Sequence, residues 1–484
     1  MGANWPETKE TPNMDRLAQQ GMRFTDMHSM SVCTPSRAAL LTGRLGLRTG
    51  VVSNFAVDSL YGLPLTEITI AELLKSANYS TGAVGKWHLG HSRAFHPSSR
   101  GFDFYVGIPY SVDMGCVNCP NENLPEETPC PYDPHPQITE PAVPLYNTTT
   151  ANCSAHDTCN ADIIEQPVDL QTLASIYAST ARRFILKHAP GQPLAHNPFL
   201  LYVPFSHIHV PLSHDPKFTH RSARNTTFGD TLLELDDTIG KVLVALEEAK
   251  VADNTIVFLM GDNGPWRVKC DLAGSPGPFV GTYQKKLGGG STEKMTTWEG
   301  GHRVVGVAAW PGHIPAGATS GATVSTMDLL PTLAALAGTP LPKGRHFDGV
   351  DISSVLFDGA SVVPGRDFLF HPGCYNNYSG LLEAARYGRF KAHFASYSVA
   401  GCKESGTDRI EHNPPLIFDL DMDPGESTPL VNPPKELLSA FTKALEEKMK
   451  DIKSSFRSIA NYTQGGVDAW PCCNSKNVGC RCKG

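Results

Sequence analysis

Apolar runs and helical periods alternate along the first third of the chain. GMRFTDMH (21–28) reads as a strand, ITIAELLKSA (68–77) after Thr66 as an amphipathic helix, and STGAVG (80–85) as the next strand. The rhythm resumes at a helix near 170–188, the strand PFLLYVPF (198–205) and a helix near 229–250. NTIVFLM (254–260) has the continuous apolar character of a fully buried strand; RVVGVAAWPG (303–312) follows as a strand and STMDLLPTLAALAG (325–338) as a helix. Strands alternating with helices predict an α/β domain around a mixed, mainly parallel sheet flanked by helices. Between 113 and 166 the pattern stops and Pro, Asn and Cys dominate, as in a crosslinked surface insertion. Beyond Pro364 the texture changes again. FLFH (368–371), RYGRFKAHFA (386–395) and PLIFDL (415–420) read as strands, followed by a helix over 434–453 and a cysteine-rich tail. The expected division is a large α/β domain over 1–365 and a smaller α+β domain over 366–484.

Within the first domain SVCTPSRAALLTGR (31–44) reads as a short helix. Thr34 is placed as its N-cap, Pro35 at N1 and Gly43 just past its end, with Cys33 at the positive mouth and Arg37 one turn in. Several strands run into polar clusters: 80–85 into Lys86-Trp87-His88, 198–205 into His207-Ile208-His209, and 254–260 into Asp262-Asn263-Gly264. Ligands of open α/β sheets sit outside the carboxyl ends of strands, so these clusters converge on one mouth if the strands run parallel. Each has a plain alternative: a solvated loop with a packed Trp, a hydrogen-bonded histidine pair, an ordinary Asn-Gly turn. Asp262 and Asn263 are equally suited to a hard cation, and Cys33 reads as an inert thiol, a disulfide half, or a thiol activated by the helix mouth.

Composition narrows the setting. The 484 residues are 40% hydrophobic and carry a net charge of −7, with no apolar run long enough to cross a membrane. The mixed charge argues against nucleic acid as a partner and requires any positive site to be local. Thirteen cysteines and Asn-x-Ser/Thr sequons at Asn78, Asn147, Asn152, Asn225, Asn377 and Asn461 point to the secretory pathway, although residues 1–4 carry no signal-peptide pattern. With Cys33 set aside, the remaining cysteines are even in number and able to pair completely.

The blocks TPNMDRLAQQGMRF (11–24), CTPSRAALLTGR (33–44), GKWHLG (85–90), GIPYSVDMG (107–115), GDNGP (261–265), TTWEGGHR (296–303) and PLIFDLDMDPGE (415–426) resemble, in order, segments of the sulfatase family, of arylsulfatase type. The resemblance implies an alkaline phosphatase-like fold and hydrolysis of sulfate esters, of aryl sulfates or of 3-O-sulfated glucosamine in heparan sulfate. It implies that Cys33 is oxidised to formylglycine by the formylglycine-generating enzyme in the endoplasmic reticulum. Lys86 and Lys294 would bind sulfate, Arg37 would hold the formylglycine hydroxyl, His88 would take the proton that expels sulfate, and His209 would protonate the leaving group. Ser111 would hydrogen-bond nearby, His207 would support, and Asp262, Asn263 and the modified Cys33 would bind calcium. The implied location is the lysosome or the secreted fraction. Family members carry a first strand ending in an Asp-Asp pair upstream of the segment that begins here at Gly2, so a short calcium shell, an unpaired sheet edge and weak activity are expected of this chain. A phosphatase or phosphodiesterase of the same superfamily, or an inactive glycoprotein, are the alternatives.

Overall fold

A computed structural model describes residues 1–5, 7–117, 141–149, 162–374 and 380–471. Most of the expected 113–166 insertion, Cys119, Cys130, Cys153, Cys159, the tail cysteines, Asn152 and Asn377 lie outside these residues.

Two sheets form the larger part. In one, β1 (Met22–His28) is central. It pairs parallel with β9 (Ala318–Ser320) and β10 (Val324–Ser325), and antiparallel with β8 (Arg303–Ala309). β8 in turn pairs antiparallel with β7 (Val257–Met260). The second sheet runs β5 (Asp162–Glu165), β4 (Leu145–Thr149), β3 (Phe104–Gly107), β2 (Ser80–Val84) and β6 (Phe199–Tyr202). Here β2 is parallel to both β3 and β6. Because β8 opposes both neighbours, β1 and β7 point the same way, as β2 and β6 do in their sheet. The condition for convergent carboxyl ends is therefore met within each sheet.

The free edges of β6 and β7 face one another across a cleft of about 1430 Å³, lined by Tyr202, Met260, Arg37 and Asp262 among others. This explains why β7, expected to be fully buried, is only half-buried along its length. Its apolar run is that of an interior strand, but one neighbour is absent among the described residues.

Local chemistry sets the helix ends. Thr69 and Glu72 form a reciprocal capping box, so the helix runs Ile70–Lys75 and starts two residues after the expected start at 68. Leu41, Ala38, Ile70, Leu73 and Leu330 join Trp87, Phe102 and Tyr105 in one dry cluster beneath the sheets. The long helices Leu170–Leu186 and Thr227–Glu248 lie close to the expected ones.

The C-terminal part is an antiparallel sheet of β11 (Phe368–Pro372), β12 (Leu382–Tyr387), β13 (Phe390–Ser396) and β14 (Ile410–Asp419). The single strand expected over 386–395 is a hairpin, because the chain turns at Gly388-Arg389 and pairs Tyr387 with Phe390. Helix Lys435–Ser454 buries Phe441 and Ile452 against this sheet, in a cluster that also takes Met30, Ala39 and Leu45 from the first part. The two parts therefore share a core.

Complete pairing of the remaining cysteines is not observed. Cys270 bonds Cys402, whereas Cys374 is a free thiol held 3.4 Å from the Ser31 hydroxyl. It lies on the wall of the small pocket that Cys33 also lines, and the two are not bonded to one another. No described helix is long and apolar enough to cross a membrane.

Candidate active site

The helix that carries the thiol spans Cys33–Thr42, with Val32 as an N-cap that supplies no side-chain bond. Thr34, expected as the cap, lies inside the first turn and donates its hydroxyl to the His88 carbonyl at 3.0 Å. The Asn54 side chain accepts from the Thr34 N–H at 3.1 Å in place of a cap from Val32, and the positive helix end lies at the Cys33 region. Gly43 adopts φ 68° and closes the helix, as its position in the sequence predicts.

β2 delivers Lys86 and His88. Gly85 between strand and site has φ +136°, and a Cβ there would lie 2.1 Å from the Pro204 carbonyl oxygen, so only glycine permits this approach. Lys86 and His88 are 2% and 1% exposed. Burial, then the Lys86 ammonium, pushes the His88 imidazole down to about 4, so it is a neutral proton acceptor at physiological pH. Burial also lowers Lys86.

Arg37 donates to the Lys86 carbonyl at 2.5 Å and to Asp262 Oδ2 at 3.0 Å. Although burial disfavours its charge, Tyr202 and Asp262 hold it above its ordinary value. Beyond β7, Asn263 donates its amide to the Gly264 carbonyl at 2.8 Å, leaving a buried Oδ1 with no partner.

Lys294 and His209 close the other side. Their Nζ and Nε2 atoms are 3.2 Å apart, and His209 Nδ1 is tied to the Val210 carbonyl at 2.8 Å, which turns Nε2 toward the cluster. Lys294 also sits 4.8 Å over the Trp266 ring. A pocket of about 140 Å³ is lined by Cys33, His88, Ser111, His209 and Lys294. Burial would raise the Cys33 thiol, but Lys294 and Lys86, then His209 and His88, outweigh it and hold the thiol well below its usual range. Ser111 is buried on the same wall. His207 is set aside from this pocket, 3.4 Å from Glu234.

Sequence reasoning did not single out Asp113, Asn54, Trp266 or Cys374, which complete the pocket wall. Asp113 lies 3.6 Å from His209 Nδ1, and its carboxyl is held low by His209 and Lys86 against the effect of burial. Its place two residues after Ser111 in GIPYSVDMG was the available signal. Trp266 likewise directly follows GDNGP. Cys374 comes from the C-terminal sheet and had no local signal.

A small pocket that holds a thiol activated by Lys294 within it and by Lys86 behind it, beside two imidazoles, suits the hydrolysis of an anionic ester. Comparison with known proteins makes the assignment specific. Residues 1–339 match the sulfatase family and residues 364–482 the C-terminal region of aryl-sulfatase. The chain belongs to the sulfatase family and is a sulfuric ester hydrolase of arylsulfatase type. It is 45% identical to arylsulfatase G of Homo sapiens over 496 residues, covering 100% of this chain and 90% of the relative. It is 38% identical to human arylsulfatase A, over 88% of this chain and 80% of that protein. The PsFucS1 sulfatase from Pseudoalteromonas shares the fold at TM-score 0.78 and 24% identity, over 93% of this chain and 86% of that one.

Proposed function

We propose that this enzyme cleaves sulfate esters through a formylglycine made from Cys33, with sulfated carbohydrate of the 3-O-sulfated glucosamine kind in heparan sulfate as the substrate class. The observation that carries the reading is the enclosure of one residue, Cys33, by Lys86, Lys294, His88 and His209. Hydrated, the aldehyde presents two hydroxyls. One passes its proton to Asp262 and attacks sulfur, and the ester oxygen leaves with a proton from His209. The second hydroxyl then loses its proton to His88, the carbonyl re-forms, and sulfate is expelled. Lys86 and Lys294 hold the sulfuryl oxygens, Ser111 adds a hydrogen bond, and Arg37 orients the hydroxyl that remains. A serine in the same place would trap the sulfate ester, since it has no second oxygen with which to expel it.

Support for calcium is partial. The orphaned Asn263 oxygen and the Asp262 carboxylate suit a hard cation, but with the modified Cys33 they fall short of the roughly 6–8 oxygens calcium takes. The described residues do not make a complete calcium site, and no step above is routed through the ion. Asp262→Ala should weaken calcium binding and lower turnover of an aryl sulfate, read by calcium titration and by initial rate; unchanged affinity and turnover would refute the assignment.

The secretory setting that oxidation requires is supported by the exposure of Asn78, Asn147, Asn225 and Asn461 and by the Cys270–Cys402 disulfide, and a lysosomal or secreted enzyme follows from it. The formylglycine-generating enzyme is the implied partner, and the division of the chain at 365/366 is part of the same proposal. Mass spectrometry of the tryptic peptide containing Cys33, from protein made in an oxidising compartment, tests the central step. An aldehyde mass supports it; an unmodified thiol from active enzyme would overturn it.

A further inference from the structure

Three histidines meet in the buried seam between the C-terminal sheet and the end of β1. His28 closes β1, His302 ends the short helix Glu299–His302, and His371 lies in β11. They are 1%, 0% and 1% exposed. The His371 ring centroid is 5.1 Å from that of His28 and 4.4 Å from that of His302. Glu299 is beside them: one donor atom each from His28, Glu299 and His371 lie within 4.8 Å of one another.

The outward nitrogens are already fixed. His28 Nε2 bonds Asp26 Oδ1 at 2.7 Å, and His302 Nδ1 donates to the Ser29 carbonyl at 2.7 Å. This leaves His28 Nδ1, His302 Nε2 and both nitrogens of His371 buried without a partner. Each such group destabilises the fold if nothing satisfies it. An imidazole whose far nitrogen is held by a carboxylate or a backbone carbonyl is the usual arrangement of a metal-ligating histidine.

We propose that His28, His302 and His371, with Glu299 as the fourth donor, form a second metal site that takes a zinc-class divalent cation. Nitrogen-rich donors favour zinc over calcium, which separates this site from the oxygen ligands at Asp262. A tetrahedral ion with bonds of roughly 2.0–2.1 Å needs donors about 3.3 Å apart, so the rings draw inward on binding. Glu299 must also free Oε1 from Lys391, or Oε2 from both Arg303 and Arg386. The ion would tie β11 to the strand that leads into Cys33, whose exit is already clamped by the Ser29 N–H donating to the His302 carbonyl at 2.9 Å.

The test uses the full chain, incubated with zinc, freed of unbound ion and analysed for metal, and in parallel loaded with cobalt. The expected results are one zinc per chain, a melting temperature that rises with zinc, and the intense visible bands of tetrahedral cobalt. Zinc far below one per chain together with absence of those bands overturns the proposal and leaves the histidines around a buried water. His371→Ala, verified as folded by circular dichroism, should abolish both signals; retention of the tetrahedral bands in it would equally overturn the assignment. The cobalt spectrum of the unaltered protein needs no variant to fold.

Discussion

At the scale of single residues, the proposed reaction rests on how few groups surround Cys33 and how unlike their proposed tasks are. Cys33→Ser should give one sulfate ester per chain and no second turnover, read as a stoichiometric burst of phenol with the protein heavier by one sulfuryl group. His209→Ala should cost about 10²–10⁴-fold in kcat for an alkyl sulfate and much less for an activated aryl sulfate, whose leaving group needs little protonation. An equal loss for both substrates would remove His209 from that role. Most of these residues were legible in the sequence because each ends a strand or opens a helix within a short motif. Asp113 and Trp266 stood in the same motifs but lacked an obvious task until the fold set them against His209.

At the scale of elements, strand ends and tight turns set the site. A Cβ on Gly264 would lie 1.8 Å from the Gly300 carbonyl oxygen. Gly264→Ala should therefore destabilise by about 1–3 kcal/mol and displace Asn263. Chemical denaturation and calcium titration would read the two effects, and an unchanged midpoint would show that the turn has slack. The Thr34 cap was misjudged because Thr-Pro is a strong helix-start signal, yet the helix begins at Cys33 and the Thr34 hydroxyl is engaged by His88. The 386–395 hairpin was read as one strand because its apolar pattern crosses a two-residue turn almost without interruption.

Across the whole molecule, buried charge joins the two parts. Arg48, fully buried, pairs with Asp348 at 3.0 Å and with Asp451 of the C-terminal helix. Arg48→Ala removes one partner from each carboxylate, leaving Lys448 on Asp348 and His346 on Asp451, and should cost about 1–3 kcal/mol. Urea unfolding measures it, and a loss below about 1 kcal/mol would show the clamp to be dispensable. Acid sensitivity is also built in. Burial holds His96 at about 3 against an ordinary 6.5, so the unfolded chain takes up the proton first. The stability this contributes is whole above pH 6.5 and is lost as pH falls toward 3, about 2 kcal/mol of it by pH 5. His96→Gln should flatten the fall of melting temperature between pH 6.5 and 5; an unchanged slope would mean that His96 is protonated in the fold.

The sequence by itself determined the family, the alternation of strands and helices, and the clusters Lys86–His88, His209 and Asp262–Asn263 that end strands, because these are written in local motifs and periods; Lys294 and Ser111 were reached only through the family resemblance. Only the tertiary structure decided which strands run parallel, that β6 and β7 leave a cleft, that Cys374 reaches the pocket wall, and that His28, His302 and His371 meet. The physical reason is that a hydrogen-bond ladder or a buried contact between residues hundreds of positions apart has no period in the chain. It exists only once the core has closed around it.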